Sequence, residues 1–321
     1  GGHLSKALPA AISVDVDTLA SIYKGFGCRR PGGYTYAELR MGLENLSRFL
    51  ESYPIRATLF MVGNDFLEPA NHGAILSMEA AGHEIANHTM THAQGFRLLP
   101  AEEKENEIAG MEAACERVTG RRPLGFRSPG WNMGDDALPI LKRRGYLYDS
   151  SVHPTSLMPL LKFLHWRAQS GRSAIERTTM GHLKYMFAPI KPYRTSMQGF
   201  SSEGTDGILE FPLTVMPFIR LPFFATFLLA TGPTIFRSTY ALLKSMACPI
   251  QFQFHLSDFV DYGHPDLAGQ VPEAHGVYVP QALGTSLAAK MNVFRKALDI
   301  LADGYEFITL DAWARNAGQA E

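Results

Sequence analysis

From residue 11 to 17 the chain reads Ala-Ile-Ser-Val-Asp-Val-Asp. A period of two puts Ser13, Asp15 and Asp17 on one face and Val14 and Val16 on the other, which predicts a strand with an unusually acidic face. A stretch with Gly25, Gly27, Gly32 and Gly33 follows and reads as a loop. Over 35–51, Leu39, Leu43, Leu46 and Leu50 recur at helical spacing. A second strand is predicted over 57–62, a helix over 70–81 ended by Gly82, and a third strand over 84–88. The segment 100–119 reads as a long helix with glutamates near its start, where the helix dipole favours them. Strands over 125–127 and 146–149 flank a helix over 135–144.

Strands thus alternate with helices through the first 150 residues. This predicts an α/β architecture with a mainly parallel sheet, either open or closed into a barrel. In such folds the chemistry sits at the carboxyl ends of the strands. Asp17, His88 and Arg127 all fall at predicted strand ends. The middle, 154–207, is irregular. Strand patterns resume at 208–211 and 249–255, then come a Gly/Pro-rich loop at 262–284, a helix at 286–302 and a last strand at 306–309. No internal repeat, low-complexity tract or linker stands out, so one elaborated domain over 4–321 is expected, with 154–207 as an insertion.

Composition narrows the classes. The chain has 321 residues, 46% hydrophobic and 19% charged, with a formal net charge of -1. That is ample for a large core, and no overall positive field draws nucleic acid. Cys28, Cys115 and Cys248 are odd in number and far apart, which fits free thiols in a reducing compartment. Gly1-Gly2-His3 carries no functional reading, and no secretory signal pattern follows it, so a cytoplasmic location, including the inner face of the membrane, is expected. The most apolar stretch, 216–236, contains Arg220, Gly232 and three prolines, and its uninterrupted part is too short to span a bilayer. It reads as a cover over the barrel, as a peripheral membrane contact or as a homo-oligomer interface. Lys184, Lys191 and Arg194 lie among Tyr185, Phe187 and Tyr193, a pattern that suits a solvated loop with aromatic anchors or an anionic-ligand site.

The candidate chemistry lies in four short units. Asp15 and Asp17, at i and i+2, face the same way on a strand, about 7 Å apart along it. Two such carboxylates repel unless a cation sits beside them, and the bland alternative is a pair that caps the next helix. His88 and His92 stand at i and i+4, on one face if the backbone turns helically after His88. Two imidazoles and one carboxylate leave a coordination position open, as catalytic metal sites do. His83 is out of phase and reads as packing or surface. In Arg127-Ser128-Pro129-Gly130-Trp131, the arginine is suited to hold Asp15 charged and oriented, Pro129 and Gly130 to shape a tight turn with an exposed backbone N–H, and Trp131 to wall a sugar site or anchor the core. His255 closes an apolar strand, where it reads as a structural residue or as a proton donor.

These units resemble the polysaccharide deacetylases with the NodB homology domain, also called carbohydrate esterase family 4. Val14-Asp15-Val16-Asp17-Thr18 is similar to the first family motif, His88-Thr89-Met90-Thr91-His92 to the second, Arg127-Ser128-Pro129 to the third and Phe254-His255-Leu256 to the last. The resemblance covers about 11–150 and 208–312. The split Asp-x-Asp is similar to the branch that holds intracellular peptidoglycan deacetylase-like proteins and lipid-linked aminoarabinose deformylases. The resemblance implies a distorted (β/α) barrel of fewer than eight units with an elaborated C-terminal half. It implies one divalent ion on Asp17, His88 and His92, zinc first, with cobalt, nickel, iron and manganese open. It implies Asp15 as base, Arg127 as its positioner, a backbone N–H near Gly130 for the oxyanion and His255 as acid. Asp149 would orient His255 at the substrate site or merely tie a loop. The expected reaction is hydrolysis of an N-acetyl or N-formyl amide on a sugar, polymeric or lipid-linked. The alternatives are an allantoinase-like hydrolase of a cyclic amide and a catalytically silent carbohydrate-binding protein.

Overall fold

A computed structural model describes residues 7–26, 35–168, 181–271 and 281–318. The chain begins with β1 (Leu8–Val16), α1 (Leu19–Phe26), α2 (Ala37–Glu51), β2 (Thr58–Met61), α3 (Pro69–Ala80) and β3 (Glu84–Asn87). Next come α4 (Ala101–Thr119), β4 (Gly125–Phe126), α5 (Ala137–Arg143) and β5 (Tyr148–Asp149). The second half contains α6 (Met158–Ala168), the strands β6 (Tyr193–Ser196), β7 (Gly199–Glu203) and β8 (Leu209–Glu210), then α7 (Ala225–Thr231) and α8 (Pro233–Ser245). It closes with β9 (Ile250–His255), α9 (Gln281–Gly284), α10 (Leu287–Ala302), β10 (Tyr305–Phe307) and α11 (Leu310–Gly318).

Among the described residues, seven strands run parallel side by side in the order β9-β1-β2-β3-β4-β5-β8 and curl into an incomplete barrel. β10 pairs with the start of β1, and the β6–β7 hairpin adds antiparallel strands beyond β8. The gap between β8 and β9 is bridged by Thr214, whose backbone N–H and hydroxyl bond the backbone of Gln251. The expected distorted barrel of fewer than eight units is the one observed.

β1 is buried on both faces, and its alternation decides what each face does. Ile12, Val14 and Val16 pack with Leu39, Leu43 and Leu46 of α2 and with Phe252 and Phe254 of β9. Ser13 and Asp15 point the other way, into the barrel, where polar partners wait. Local signals set the helix ends. α4 carries Glu102 and Glu103 in its first turn and ends at Gly120, whose φ of 71° suits glycine. α10 starts where the Ser286 hydroxyl accepts the Ala289 N–H.

Two expectations need correction, and a third is narrowed. The stretch after β1 begins with α1, which takes in Gly25, rather than with a loop; 27–34, with Gly27, Gly32, Gly33 and Cys28, lies outside the described residues. The irregular 154–207 holds α6 and the β6–β7 hairpin. The apolar 216–236 folds mostly into α7 and the start of α8, with Phe223, Phe224, Leu228 and Phe236 buried, so the cover reading holds for its later part. Cys115 and Cys248 are free and buried. Among the described residues no helix is long and apolar enough to cross a membrane.

Candidate metal centre

The barrel strands end together, and their ends carry the chemistry. Asp15 lies in register with His255 of β9 and with Phe60 of β2. Asp17 follows the end of β1, His88 the end of β3 and Arg127 the end of β4. Asp17 Oδ1 lies 3.3 Å from His88 Nε2 and 3.2 Å from His92 Nε2. Ligand atoms of Asp15, Asp17 and His255 also lie within 4.8 Å of one another.

The donor set fits a divalent cation. His88 Nδ1 donates to the backbone carbonyl of Arg127 at 2.8 Å, which leaves the Nε2 lone pair aimed at Asp17. Asp17 Oδ1, His88 Nε2 and His92 Nε2 are all buried without a hydrogen-bond partner. An imidazolium–carboxylate hydrogen bond would be about 2.7–2.9 Å long, shorter than either separation here. Two atoms each about 2.0–2.1 Å from one tetrahedral zinc lie about 3.3–3.4 Å apart. The observed spacing suits a shared ion better than a hydrogen bond. Burial pushes the Asp17 carboxyl up, but His92 and His88 outweigh it and hold it well below the usual carboxylate value. Burial pulls His88 down, while the charges of Asp15 and Asp17 prevail and raise it. Both directions have one source, the close approach of the carboxylates and the imidazoles.

The loop carrying the histidines is not helical. Thr89 and His92 have φ of 69° and 52°, a conformation that costs a β-branched threonine in particular. Glu107 of α4 holds it there: its backbone carbonyl accepts Met90 N–H and its carboxylate accepts the N–H and hydroxyl of Thr91. The imidazoles still meet, with ring centres 5.2 Å apart, but through this clamped turn rather than a helical face.

Asp15 is held on both oxygens. Arg127 NH1 donates to Oδ1 at 2.5 Å, and Gln253 Nε2 donates to Oδ2 at 2.5 Å. Arg127 is fully buried, bonded also to Ser13, to the Ser150 carbonyl and to the Ser150 hydroxyl, with its guanidinium 4.0 Å above the Phe60 ring. Gln253 Oε1 in turn accepts the indole N–H of Trp131 at 3.3 Å. Trp131 is only 6% exposed and packs edge-on against His153 and Phe224, so it stands in the wall as a core anchor more than as an open sugar platform. Gly130 and Trp131 both take left-handed backbone, with φ of 61° and 54°, and form the expected tight turn.

Among the described residues, the partners of Asp149 are Ser151 and Glu210, not His255. Asp149 is fully buried at the end of β5, its carboxylate accepts the Ser151 N–H and hydroxyl, and it stands in register with Glu210 of β8. Burial pushes both carboxyls up, and the Asp149 charge pushes Glu210 further. A carboxylate so engaged ties the loop that carries Ser150 and Ser151 under Arg127, the second of the two readings open for Asp149. Thr226 of α7 is one neighbour of His255, its hydroxyl 3.4 Å from Nδ1. His83 sits apart, buried, its Nδ1 accepting the Ala57 N–H. Lys184 is paired with Asp135, and Lys191 and Arg194 reach different backbone carbonyls, so these three do not converge on one anion.

Gln251, Gln253 and Thr226 were missed by sequence reasoning, and Ser13 was placed on the acidic face without a role. For the glutamines a signal existed: Gln251, Gln253 and His255 alternate with Phe252 and Phe254, so they share the face of the proton-donor candidate.

A curled parallel barrel with a carboxylate–imidazole centre at the carboxyl ends of its strands defines the class. Residues 38–148 match the family model described as polysaccharide deacetylase. That match takes in about a third of the chain; it includes His88, His92 and Arg127 and leaves Asp15, Asp17 and His255 outside. It is 31% identical over 116 residues to a peptidoglycan deacetylase-like protein of Gibberella zeae, covering 35% of this chain and 33% of that protein. It is 23% identical over 159 residues to a peptidoglycan deacetylase of Helicobacter pylori, covering 49% and 53%. It is 35% identical over 98 residues to a peptidoglycan-N-acetylglucosamine deacetylase of Bacillus cereus, covering 30% and 44%. The matches therefore span about a third to a half of these relatives. Among solved structures, a candidate polysaccharide deacetylase from Mycobacterium smegmatis aligns with a TM-score of 0.62 at 18% identity, over 98% of this chain and 92% of that one. Puue allantoinase aligns with a TM-score of 0.54 at 14% identity, over 97% and 91%. Both are likenesses of fold.

Proposed function

We propose that the chain is a divalent-metal-dependent amidohydrolase that removes an N-acyl group, acetyl before formyl, from an amino sugar of a glycan. The observation that carries this reading is the convergence of three unbonded ligand atoms, on Asp17, His88 and His92, beside Asp15 and His255. Those three residues would hold the ion, with zinc the first candidate. When bound, such an ion polarises an amide carbonyl and makes a neighbouring water more acidic.

Asp15 accepts the proton of the attacking water as its oxygen bonds the carbonyl carbon. Arg127 and Gln253 fix both Asp15 oxygens, so the base meets the water in one orientation. The backbone N–H of the Gly130 turn is the proposed donor to the developing oxyanion. As the C–N bond breaks, His255 gives a proton to the departing amine nitrogen, with Thr226 beside its other ring nitrogen. Acetate and a free amino sugar leave. The acetyl preference follows from the deacetylases among the relatives.

The test pairs metal analysis with turnover. Purified protein and Asp17→Ala are dialysed, their metal content is measured by plasma mass spectrometry, and acetate or formate release from N-acylated glucosamine oligomers is followed beside cyclic ureides. Near-stoichiometric metal and acyl release in the parent, with both lost in Asp17→Ala, is the expected result. Undiminished acyl release by Asp17→Ala, or turnover confined to ureides, would overturn the proposal.

A further inference from the structure

A tight hairpin between the bridged residues Val215 and Pro222 carries Phe218 and Ile219 at its tip, 80% and 61% exposed. The tip is built, not loose. Phe218 and Arg220 adopt φ of 69° and 58°, and Arg220 N–H donates back to Met216. The Arg220 guanidinium reaches the carbonyls of Met186 and Ala188, on either side of Phe187, which is 83% exposed. The Ile219 and Arg220 carbonyls accept from Ser156 and Thr155, just before α6. On α6, Leu160, Phe163 and Leu164 recur at i, i+3 and i+4, and each is about half exposed. Three segments distant in sequence are thus tied together with their apolar side chains outward, against the ordinary preference.

The charge of the same segments is one-sided. Residues 154–168, 181–202 and 211–257 hold eight lysines and arginines and no aspartate or glutamate, in a chain whose net charge is -1. The patch also borders the cleft. Gly181 donates its N–H to the Gly130 carbonyl and accepts from Asn132 and from Lys162 of α6, and Phe224, two residues past the hairpin, packs on Trp131.

We propose that this rim is a docking surface for an anionic lipid bilayer, on which Phe187, Phe218 and Ile219 insert at the headgroup boundary with the cleft mouth facing the membrane. The apolar tip supplies burial, and the excess of lysine and arginine in these segments, of which Lys184 pairs with Asp135 and Lys244 with Asp303, supplies attraction to anionic headgroups. Protein–protein contact is the competing occupant; the one-sided charge favours the bilayer. Docking itself does not depend on the hydrolase reading. Its consequence, that the N-acyl sugar is carried at a lipid surface, does rest on it.

The experiment is vesicle flotation of the full chain, with no substrate present. Vesicles of phosphatidylglycerol and phosphatidylethanolamine are compared with phosphatidylcholine alone, at low and high salt. Expected is co-flotation with the anionic vesicles, weakened by salt, and a fall of more than about tenfold in partitioning for the Phe218→Ser/Ile219→Ser double variant. Thermal melts and acyl release from a soluble substrate should match the parent, which separates lost docking from lost folding. No flotation with anionic vesicles, equal flotation of the double variant, or a parent dimer that the variant abolishes would each overturn the proposal. A protein that floats but does not hydrolyse would sink the enzyme reading and leave docking standing.

Discussion

Two regions of this molecule invert the usual relation between polarity and water, and they do so in opposite ways. Inside the barrel, Ser13, Asp15, Arg127, Gln253, Asp149 and Glu210 are almost wholly buried. At the rim, Phe187, Phe218 and Ile219 are more than half exposed. The interior is stable because its groups answer one another: Asp15 is bonded on both oxygens, and Arg127 touches two hydroxyls, a carbonyl and a carboxylate. Buried polarity is tolerated when satisfied, so it tells of geometry held for a purpose. Exposed apolar surface has no such answer within the chain. Its partner must come from outside.

The sharpest way to break the interior is to remove one member of its charge pair. Arg127→Met leaves Asp15 buried without its cation and should cost about 3–5 kcal/mol, read as a lower urea midpoint, together with most of the acyl-releasing activity. A loss under about 1 kcal/mol would mean that water or relaxation reaches Asp15 and that the interior is not sealed as described.

His153 marks where the interior stops being answered. Both its ring nitrogens lack a hydrogen bond, and it stacks edge-on with Trp131 and Phe224. Burial, and then the Arg127 charge, pushes its imidazole down to about 3. The folded protein thus keeps His153 neutral where the unfolded chain, with an ordinary value of about 6.5, binds a proton. Above pH 6.5 the two states agree and the contribution vanishes. As pH falls from 6.5 toward 3, the unfolded state gains a proton the folded state refuses, and stability drops by up to about 1.4 kcal/mol per unit. His153→Leu should flatten this acid limb by a few kcal/mol at pH 4 while changing little at pH 7. Chemical denaturation at both pH values checks it; an unchanged limb would show that His153 finds a proton acceptor when charged.

Gln253→Leu is a smaller break. It removes the donor to Asp15 Oδ2 and the acceptor of the Trp131 indole, at about 1–3 kcal/mol. A positioning role predicts a fall in kcat with KM nearly kept, partly restored by Gln253→Asn if the shorter amide still reaches. A merely structural glutamine would lower stability and leave kcat alone.

The two regions also differ in how far the sequence revealed them. The acidic face of β1 was visible because a strand's period of two needs nothing but neighbours, and α4 because its glutamate-rich start and Gly120 end are local signals. His88 and His92 were found by spacing, yet the wrong backbone was expected. What brings them together is Glu107 clamping a left-handed turn, a contact 15 residues distant from His92 that no periodicity encodes. Asp149 stayed between two readings because a carboxylate after a strand looks alike whether it faces a cleft or a buried Glu210. α6 escaped because Met158, Leu160, Leu161, Phe163, Leu164 and Trp166 spread around the helix and leave no clear helical period. Gln251 and Gln253 were readable by alternation, but the phenylalanines between them drew the strand and hid what its other face carries.

The smallest expected effect sharpens the comparison most. Phe218→Ser/Ile219→Ser deletes two large apolar side chains, a change that inside the barrel would cost several kcal/mol. At the rim those side chains bury little, so stability should move by no more than about 0.5 kcal/mol in either direction. The left-handed φ at Phe218 sets the sign to expect, because serine relieves some of the crowding that a bulky ring suffers there. A calorimetric melt of parent and variant in the same buffer decides it. A loss above about 1 kcal/mol would mean that the tip packs against the chain in solution, and the rim would then belong with the interior as a satisfied surface. A melt unchanged or slightly higher leaves two exposed hydrophobes that do nothing for folding, held in place by a strained hairpin and an arginine clamp, and only an external partner gives that arrangement a use.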